Sequence, residues 1–378
     1  MKNVALYIHI PFCKQKCLYC DFPSVAGKED CMPGYAAALA KEINSIKDKK
    51  IKTIFIGGGT PTYLSVAGWE IIKKSINRLD LCDDLEFTVE GNPGTFTREK
   101  LIVLKNMGVN RISIGLQAFQ DSLLKLMGRI HTIEDFKQSF KMARDIGFDN
   151  INVDLMFGLP SQTLKQWLET LENVTKLNPE HLSCYSLIVE EGTEFYKRFE
   201  KGTLDLPGEE IERTMYAKTI EYLSGKGYIQ YEISNFAKEN KQCRHNLVYW
   251  EMDEYIGCGA ASHSYSDGFR YRNEENIEKY IKKINSKGIG SEGLAIVEKT
   301  KNSFNDDMEE FMFMGLRKNV GICKSEFKQR FHKDIDSVYR DVINKYTNTG
   351  FMKESEDNIF LTYEGIEVSN VIMAEFLL

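Results

Sequence analysis

With 378 residues, 49 Lys and Arg against 55 Asp and Glu, 42% hydrophobic and 28% charged, the chain has material for about two domains and a large core. The net charge of −6, with both signs interspersed, argues against general polyanion binding. No apolar run approaches about 18 residues, and Met1-Lys2-Asn3 leads straight into a strand-like segment, which reads as a soluble, cytoplasmic protein without a signal peptide.

That segment, Val4–Ile10, is the first of six strand candidates, followed by Thr53–Ile56, Leu85–Glu90, Arg111–Gly115, Asn150–Met156 and His181–Leu187. Helical spacing of apolar residues predicts helices near residues 34–48, 66–79, 97–107, 134–146 and 163–177 between them. Strand and helix alternating in this way imply a parallel sheet with right-handed crossovers. Reactive groups in such sheets gather at the C-terminal ends of the strands. The unusual residues fall there: Cys13, Cys17 and Cys20 after the first strand, Gly57-Gly58-Gly59-Thr60-Pro61 after the second, Glu90 at the end of the third, Gln117 after the fourth and Asp154 ending the fifth.

After about residue 190 the alternation stops. A mixed region to about 285 holds two unusual strings, CRHNLVYW and GCGAASHS, and NSKGIGSEG at residues 285–293 reads as a linker or turn. Beyond residue 303 the pattern is helical, with a hairpin candidate around Asp357-Asn358 and a last helix. Met308, Phe311, Met312 and Leu316 recur at helical spacing, which reads as a core face. The helix, helix, hairpin, helix order from about residue 322 is that of a small winged-helix module. Residues 321–378 carry seven Lys and Arg against ten Asp and Glu, which disfavours nucleic acid.

Three of the nine cysteines fall within eight residues, whereas a disulfide scaffold would spread them. Three thiolates from one loop suit an iron-sulfur cube with one iron left open to a small molecule. The competing metal is zinc, which would want a fourth ligand at matching spacing; Cys31 is the nearest.

The string YIHIPFCKQKCLYCDF, with Tyr7 six residues before Cys13, resembles the cluster loop of radical S-adenosylmethionine (SAM) proteins, in the branch that holds oxygen-independent coproporphyrinogen III oxidase and heme chaperones. The resemblance runs over roughly residues 4–375. It implies a partial (β/α)6 TIM-like barrel, an α/β fold, with a smaller, mainly helical, winged-helix-like C-terminal domain. Residues 1–190 would form the barrel, 191–302 its extension and 303–378 the C-terminal domain. It further implies a 4Fe-4S cluster on Cys13, Cys17 and Cys20, with SAM at the open iron, where reduction can cleave the sulfonium. Gly57, Gly58, Gly59 and Thr60 would approach the methionine part of SAM, Arg129 would meet its carboxylate, and Gln117 and Asp154 its ribose. Glu90 would add a polar contact, and Tyr7 and Tyr19 would shield the cluster from water.

Two departures separate the chain from the oxidase pattern. A further Cys two residues after the last cluster Cys is replaced by Phe22, and the oxidase's N-terminal extension is missing. His245-Asn-Leu-Val-Tyr-Trp250 reproduces the HNxxYW motif of the chaperone branch, which implies heme on His245, Tyr249 and Trp250, with Lys241 and Arg244 near the propionates. The implied function is therefore heme binding and transfer to an acceptor protein, a membrane-bound respiratory enzyme being the kind the family suggests, with an unidentified electron donor and a homodimeric state. The alternative is an oxygen-independent coproporphyrinogen III dehydrogenase or a related radical SAM enzyme.

Overall fold

The computed structural model of the protein describes residues 2–286 and 294–378. Most of the expected linker at residues 285–293 therefore lies outside the described residues. Six strands lie side by side in chain order and all parallel: β1 (Lys2–Ile10), β2 (Lys49–Gly58), β3 (Asp80–Gly91), β4 (Arg111–Gln117), β5 (Ile151–Phe157) and β6 (His181–Ser186). The connecting helices are α1 (Met32–Ile43), α2 (Val66–Ile76), α3 (Arg98–Asn106), the short α4 (Asp121–Leu126), α5 (Ile133–Asp145) and α6 (Leu164–Thr175). Ser65, Thr97, Thr132 and Thr163 each accept a free N–H at the start of α2, α3, α5 and α6; the last two form reciprocal boxes with Asp135 and Gln166. The apolar faces of these helices bury Trp69, Phe136 and Trp167 completely, each worth about 2 kcal/mol of transfer free energy.

The sheet continues past both edges of the parallel part. After α7 (Glu194–Glu200) and α8 (Glu209–Ser224) comes a hairpin of β7 (Ile229–Glu232) and β8 (Asn235–Ala237), in which β8 adds antiparallel to β6 and β7 antiparallel to β8. Next comes α9 (Arg244–Trp250), and on the opposite edge β9 (Tyr255–Cys258) pairs parallel with β1. From β9 the sheet runs antiparallel through β10 (His263–Ser266), β11 (Phe269–Asn273) and, after α10 (Ile277–Ser286), β12 (Ile296–Lys301). Its two outermost strands, β12 and β7, do not pair, so the sheet stays open. These short, polar strands offer too few residues for a period-two pattern, and the sequence shows only a mixed region there.

The C-terminal part comprises α11 (Phe304–Gly315), β13 (Ile322–Cys323), α12 (Lys324–Phe331), α13 (Asp336–Asn348), the hairpin β14 (Met352–Glu354) and β15 (Asn358–Leu361), then α14 (Tyr363–Glu367) and α15 (Ser369–Ala374). Met308, Phe311, Met312 and Leu316 are buried here with Phe327 and Ile343, a core face as the spacing reads. Met252 and Tyr265, from the sheet side, enter the same core and tie the two parts together. Among the described residues no helix is long and apolar enough to cross a membrane.

Candidate functional site

At Ile10 the first strand gives way to a loop held at several points. Cys13 N–H donates to the Val25 carbonyl (2.9 Å), Leu18 N–H to Met127 (3.0 Å), and His9 Nε2 to the Pro23 carbonyl (2.8 Å). Because a carbonyl only accepts, His9 carries its proton on Nε2, and its Nδ1 accepts from the Tyr7 hydroxyl (2.9 Å). Burial lowers the His9 pKa and keeps the ring neutral.

The loop brings Cys13, Cys17 and Cys20 to one cavity of about 460 Å³ at the C-terminal ends of the parallel strands. Thr60 Oγ1 donates to Cys13 Sγ and Arg129 Nη1 to Cys17 Sγ, both at 3.5 Å. Among the described residues no three His, Cys, Asp or Glu side chains gather as a single-ion site. Three thiols without a fourth protein ligand are a donor set that suits a cluster with one open iron better than a four-coordinate structural zinc.

Against the thiol loop runs the glycine strand end. A Cβ on Gly59 would come within 2.8 Å of the Phe12 carbonyl and 2.9 Å of Cys13 Sγ, and one on Gly58 (φ +114°) within 2.6 Å of the His9 ring. Both the tight turn and the close approach to the thiol loop therefore require glycine. Glu90 accepts from Gly58 N–H (3.3 Å); burial and the neighbouring Asp154 push its pKa up to about 8, so it holds a proton at neutral pH. Asp154 is gripped by Asn152 Nδ2 (2.7 Å) and Ser113 Oγ (3.0 Å).

Arg129 bonds Asn92 Oδ1 (2.8 Å) and the Gly115 carbonyl, while its buried Nε has no protein partner. An orphaned guanidinium donor beside the thiols is what a bound carboxylate would satisfy. Gln117, at the end of β4, adopts φ +75°, in the left-handed region that non-glycine residues uncommonly enter.

Cys13, Cys17, Cys20, Tyr19, Gly58, Gly59, Glu90, Gln117, Arg129 and Asp154 thus meet on one cavity. Tyr7, Gly57 and Thr60 stand behind its wall rather than on it, Thr60 reaching it through Cys13 and Asn92. Sequence reasoning missed Asn92, Tyr185, Ser186 and Ile188; Asn92 lies just past a strand end, a positional signal that was open to reading. The cavity's exposed lining includes three large apolar side chains, Phe22 (62%), Ile188 (67%) and Tyr185 (39%), together with the polar Gln15, Lys16, Asp21 and Glu190.

The HNxxYW segment forms α9, with Glu86 of β3 accepting from Arg244 N–H (2.9 Å) and His245 N–H (3.0 Å). His245 is 1% exposed, and both ring nitrogens are engaged, Nδ1 with Thr53 Oγ1 (2.8 Å) and Nε2 with Tyr249 Oη (3.0 Å). Desolvation lowers its pKa to about 3. Arg244 pairs with Asp84, and the Trp250 ring carries the Arg317 guanidinium at 4.6 Å. Ligation of heme iron by His245 would require one of these two hydrogen bonds to be given up. Cys243 and Cys258 are buried core residues, and His263 sits exposed at the start of β10, away from the cavity.

Comparison with known proteins agrees with this architecture. Residues 7–174 match the Radical SAM superfamily and residues 303–368 the HemN C-terminal domain. The chain is 42% identical to the heme chaperone HemW of Bacillus subtilis over 98% of both chains. It is 34% identical to the protein of that name from Escherichia coli, over 99% of this chain and 98% of the other. It also shares the fold of the radical SAM coproporphyrinogen III oxidase HemN of Escherichia coli, with a TM-score of 0.85 at 22% identity, covering 100% of this chain and 90% of that one.

Proposed function

Because the chain belongs to the HemW family of the radical SAM superfamily, we propose that it is a heme chaperone that carries a 4Fe-4S cluster and SAM and hands heme to an acceptor protein. On this reading residues 1–190 hold the cluster and SAM, 191–302 extend the partial barrel, and 303–378 form the C-terminal domain. Cys13, Cys17 and Cys20 hold the cluster. The Gly58 and Gly59 backbone and the Arg129 guanidinium receive the amino acid end of SAM, and Gln117 and Asp154 its ribose. Protonated Glu90 donates a hydrogen bond at the same wall, and Tyr19 keeps water from the thiols. When bound, the cluster and SAM would supply one-electron reductive cleavage of a carbon–sulfur bond.

One observation carries the heme-binding reading: exposed apolar side chains stand at the mouth of a thiol-lined cavity. Three large hydrophobic side chains, Phe22, Tyr185 and Ile188, standing in water at one opening are unusual on a protein surface. A porphyrin face would cover them. Exposed Lys16 lines the same opening, with exposed Lys14 two residues before it on the thiol loop, and both can pair with propionates. Phe22, one of the three, stands where the oxidase pattern has a cysteine.

The test is a heme titration of the anaerobically reconstituted protein, following the Soret band and the heme retained after gel filtration. Near-stoichiometric retention is expected, with Phe22→Asp releasing heme about tenfold faster. A wild type that retains none would overturn the chaperone reading. Loss of carboxyl groups from coproporphyrinogen III, coupled to deoxyadenosine formation, would establish the enzyme instead.

A further inference from the structure

We propose that His245 and Tyr249 are positioning residues for the thiol loop and the glycine strand end, and that heme iron takes its ligand elsewhere. The inference rests on the cluster and heme reading above, and takes the two hydrogen bonds of the His245 ring as its starting point.

The helix α9 is a wedge with two occupied faces. Its inner face enters the barrel wall. There the His245 ring stacks on Phe55 of β2 (5.2 Å between centroids, 27° between planes), and Phe55 stacks on Tyr7 of β1 (6.4 Å, 26°). Tyr7 donates to His9 Nδ1, and His9 Nε2 holds the Pro23 carbonyl at the far end of the thiol loop. The same His9 ring is what a Cβ on Gly58 would strike, and a Cβ on Gly57 would lie 3.0 Å from the Phe55 ring. A continuous row, His245–Phe55–Tyr7–His9, therefore backs both the glycine strand end and the loop that presents the thiols.

Tyr249 closes the other end of the row, edge-on to His245 (5.2 Å, 86°) and to Tyr255 of β9 (4.8 Å, 82°). The outer face of α9 meets the C-terminal domain. Besides the Arg317 guanidinium over Trp250, Arg330 Nη1 bonds the carbonyls of Glu251 (3.0 Å) and Met252 (3.1 Å) just past the helix. Each distinctive motif residue thus plays a mechanical part. His245 braces Phe55, Tyr249 fixes the His245 ring, and Trp250 seats the C-terminal domain. Releasing His245 Nε2 for iron would strip a partner from the Tyr249 hydroxyl in a buried site and break the stack.

Three variants test this in the reconstituted full-length protein: His245→Gln, Tyr249→Phe and Phe55→Leu, the last lying outside the motif. Three quantities are measured: heme retained after gel filtration with its Soret position, the electron paramagnetic resonance spectrum of the reduced cluster with and without SAM, and SAM affinity. All three variants are expected to keep wild-type heme stoichiometry and Soret position. They should also shift the cluster spectrum and weaken SAM binding about tenfold.

Heme loss in His245→Gln overturns the proposal, whatever the cluster does. Retained heme with unaltered cluster spectrum and SAM affinity overturns it as well. If His245→Gln does not fold, Phe55→Leu and Tyr249→Phe decide by the same criteria. A wild type that binds neither cluster nor heme sinks the chaperone reading, an outcome distinct from any variant result.

Discussion

Glu42 of α1 is fully buried and accepts from Gly259 N–H (2.7 Å), Asn273 Nδ2 (2.7 Å) and Tyr280 Oη (2.6 Å). It pins the turn after β9, Gly259 to Ser262 of the GCGAASHS string, behind the first strand. Burial outweighs these donors and pushes its pKa from 4.5 up to about 7. Between those values the folded chain keeps a proton that the unfolded chain loses. The contribution of Glu42 to stability is therefore greatest below the unfolded value and falls as pH rises through about 7, by about 3 kcal/mol in all. Glu42→Gln removes that dependence. Unfolding free energies of the two proteins, compared from pH 5 to 8, should show the wild type losing ground to the variant; a gap constant across that range would contradict the assignment. At this scale the sequence is legible where chemistry is local. Cys13, Cys17 and Cys20 share one loop, and the glycines report their own close contacts. The setting of His245 is not legible, because its partner Thr53 lies 192 residues away, and a His beside aromatics reads equally as ligand or as brace.

The long strands and helices of the parallel half follow their patterns closely, since each carries a full apolar face and most of the helices begin at a side-chain cap. Thr163, which boxes with Gln166 at the start of α6, illustrates how these caps act. Thr163→Ala should cost about 1 kcal/mol locally. Hydrogen exchange of the first-turn amides of α6 should then quicken about fivefold, with α5 unchanged. An equal rise in both helices would mean global rather than local loosening. The elements the sequence hid are the short ones. α4 has six residues, β8 three, and α9 seven, and none of these spans enough turns or pleats to display a period. The left-handed backbone at Gln117 was equally hidden, because an interior glutamine carries no mark of its own φ.

Across the whole molecule, two cores share one seam. Arg330 crosses it, with its guanidinium on the Glu251 and Met252 carbonyls, against Asp253 (3.4 Å) and over the Phe311 ring (5.1 Å). Arg330→Ala is expected to cost about 1–3 kcal/mol at the seam. It should show as faster exchange in α11 and α12 while the parallel strands keep their protection. Unchanged exchange on both sides would show that apolar packing alone carries the joint. Domain order was readable from where the alternation of strands and helices stops, but the seam was not. Its residues come from short segments on either side, and only the folded chain sets them face to face.

The wedge formed by α9 also orders events in time. The thiol loop leaves the ribosome well before α9 and β9, yet its back wall needs Glu86 to receive the N–H groups of Arg244 and His245, and its flank needs β9 beside β1. Those partners arrive about 240 residues later, on the order of 10–50 s at the usual pace of synthesis. Through that interval three cysteines wait on an unbacked loop, open to oxidants and to stray metal. On the cluster reading proposed above, loading of iron and sulfide would wait for that back wall.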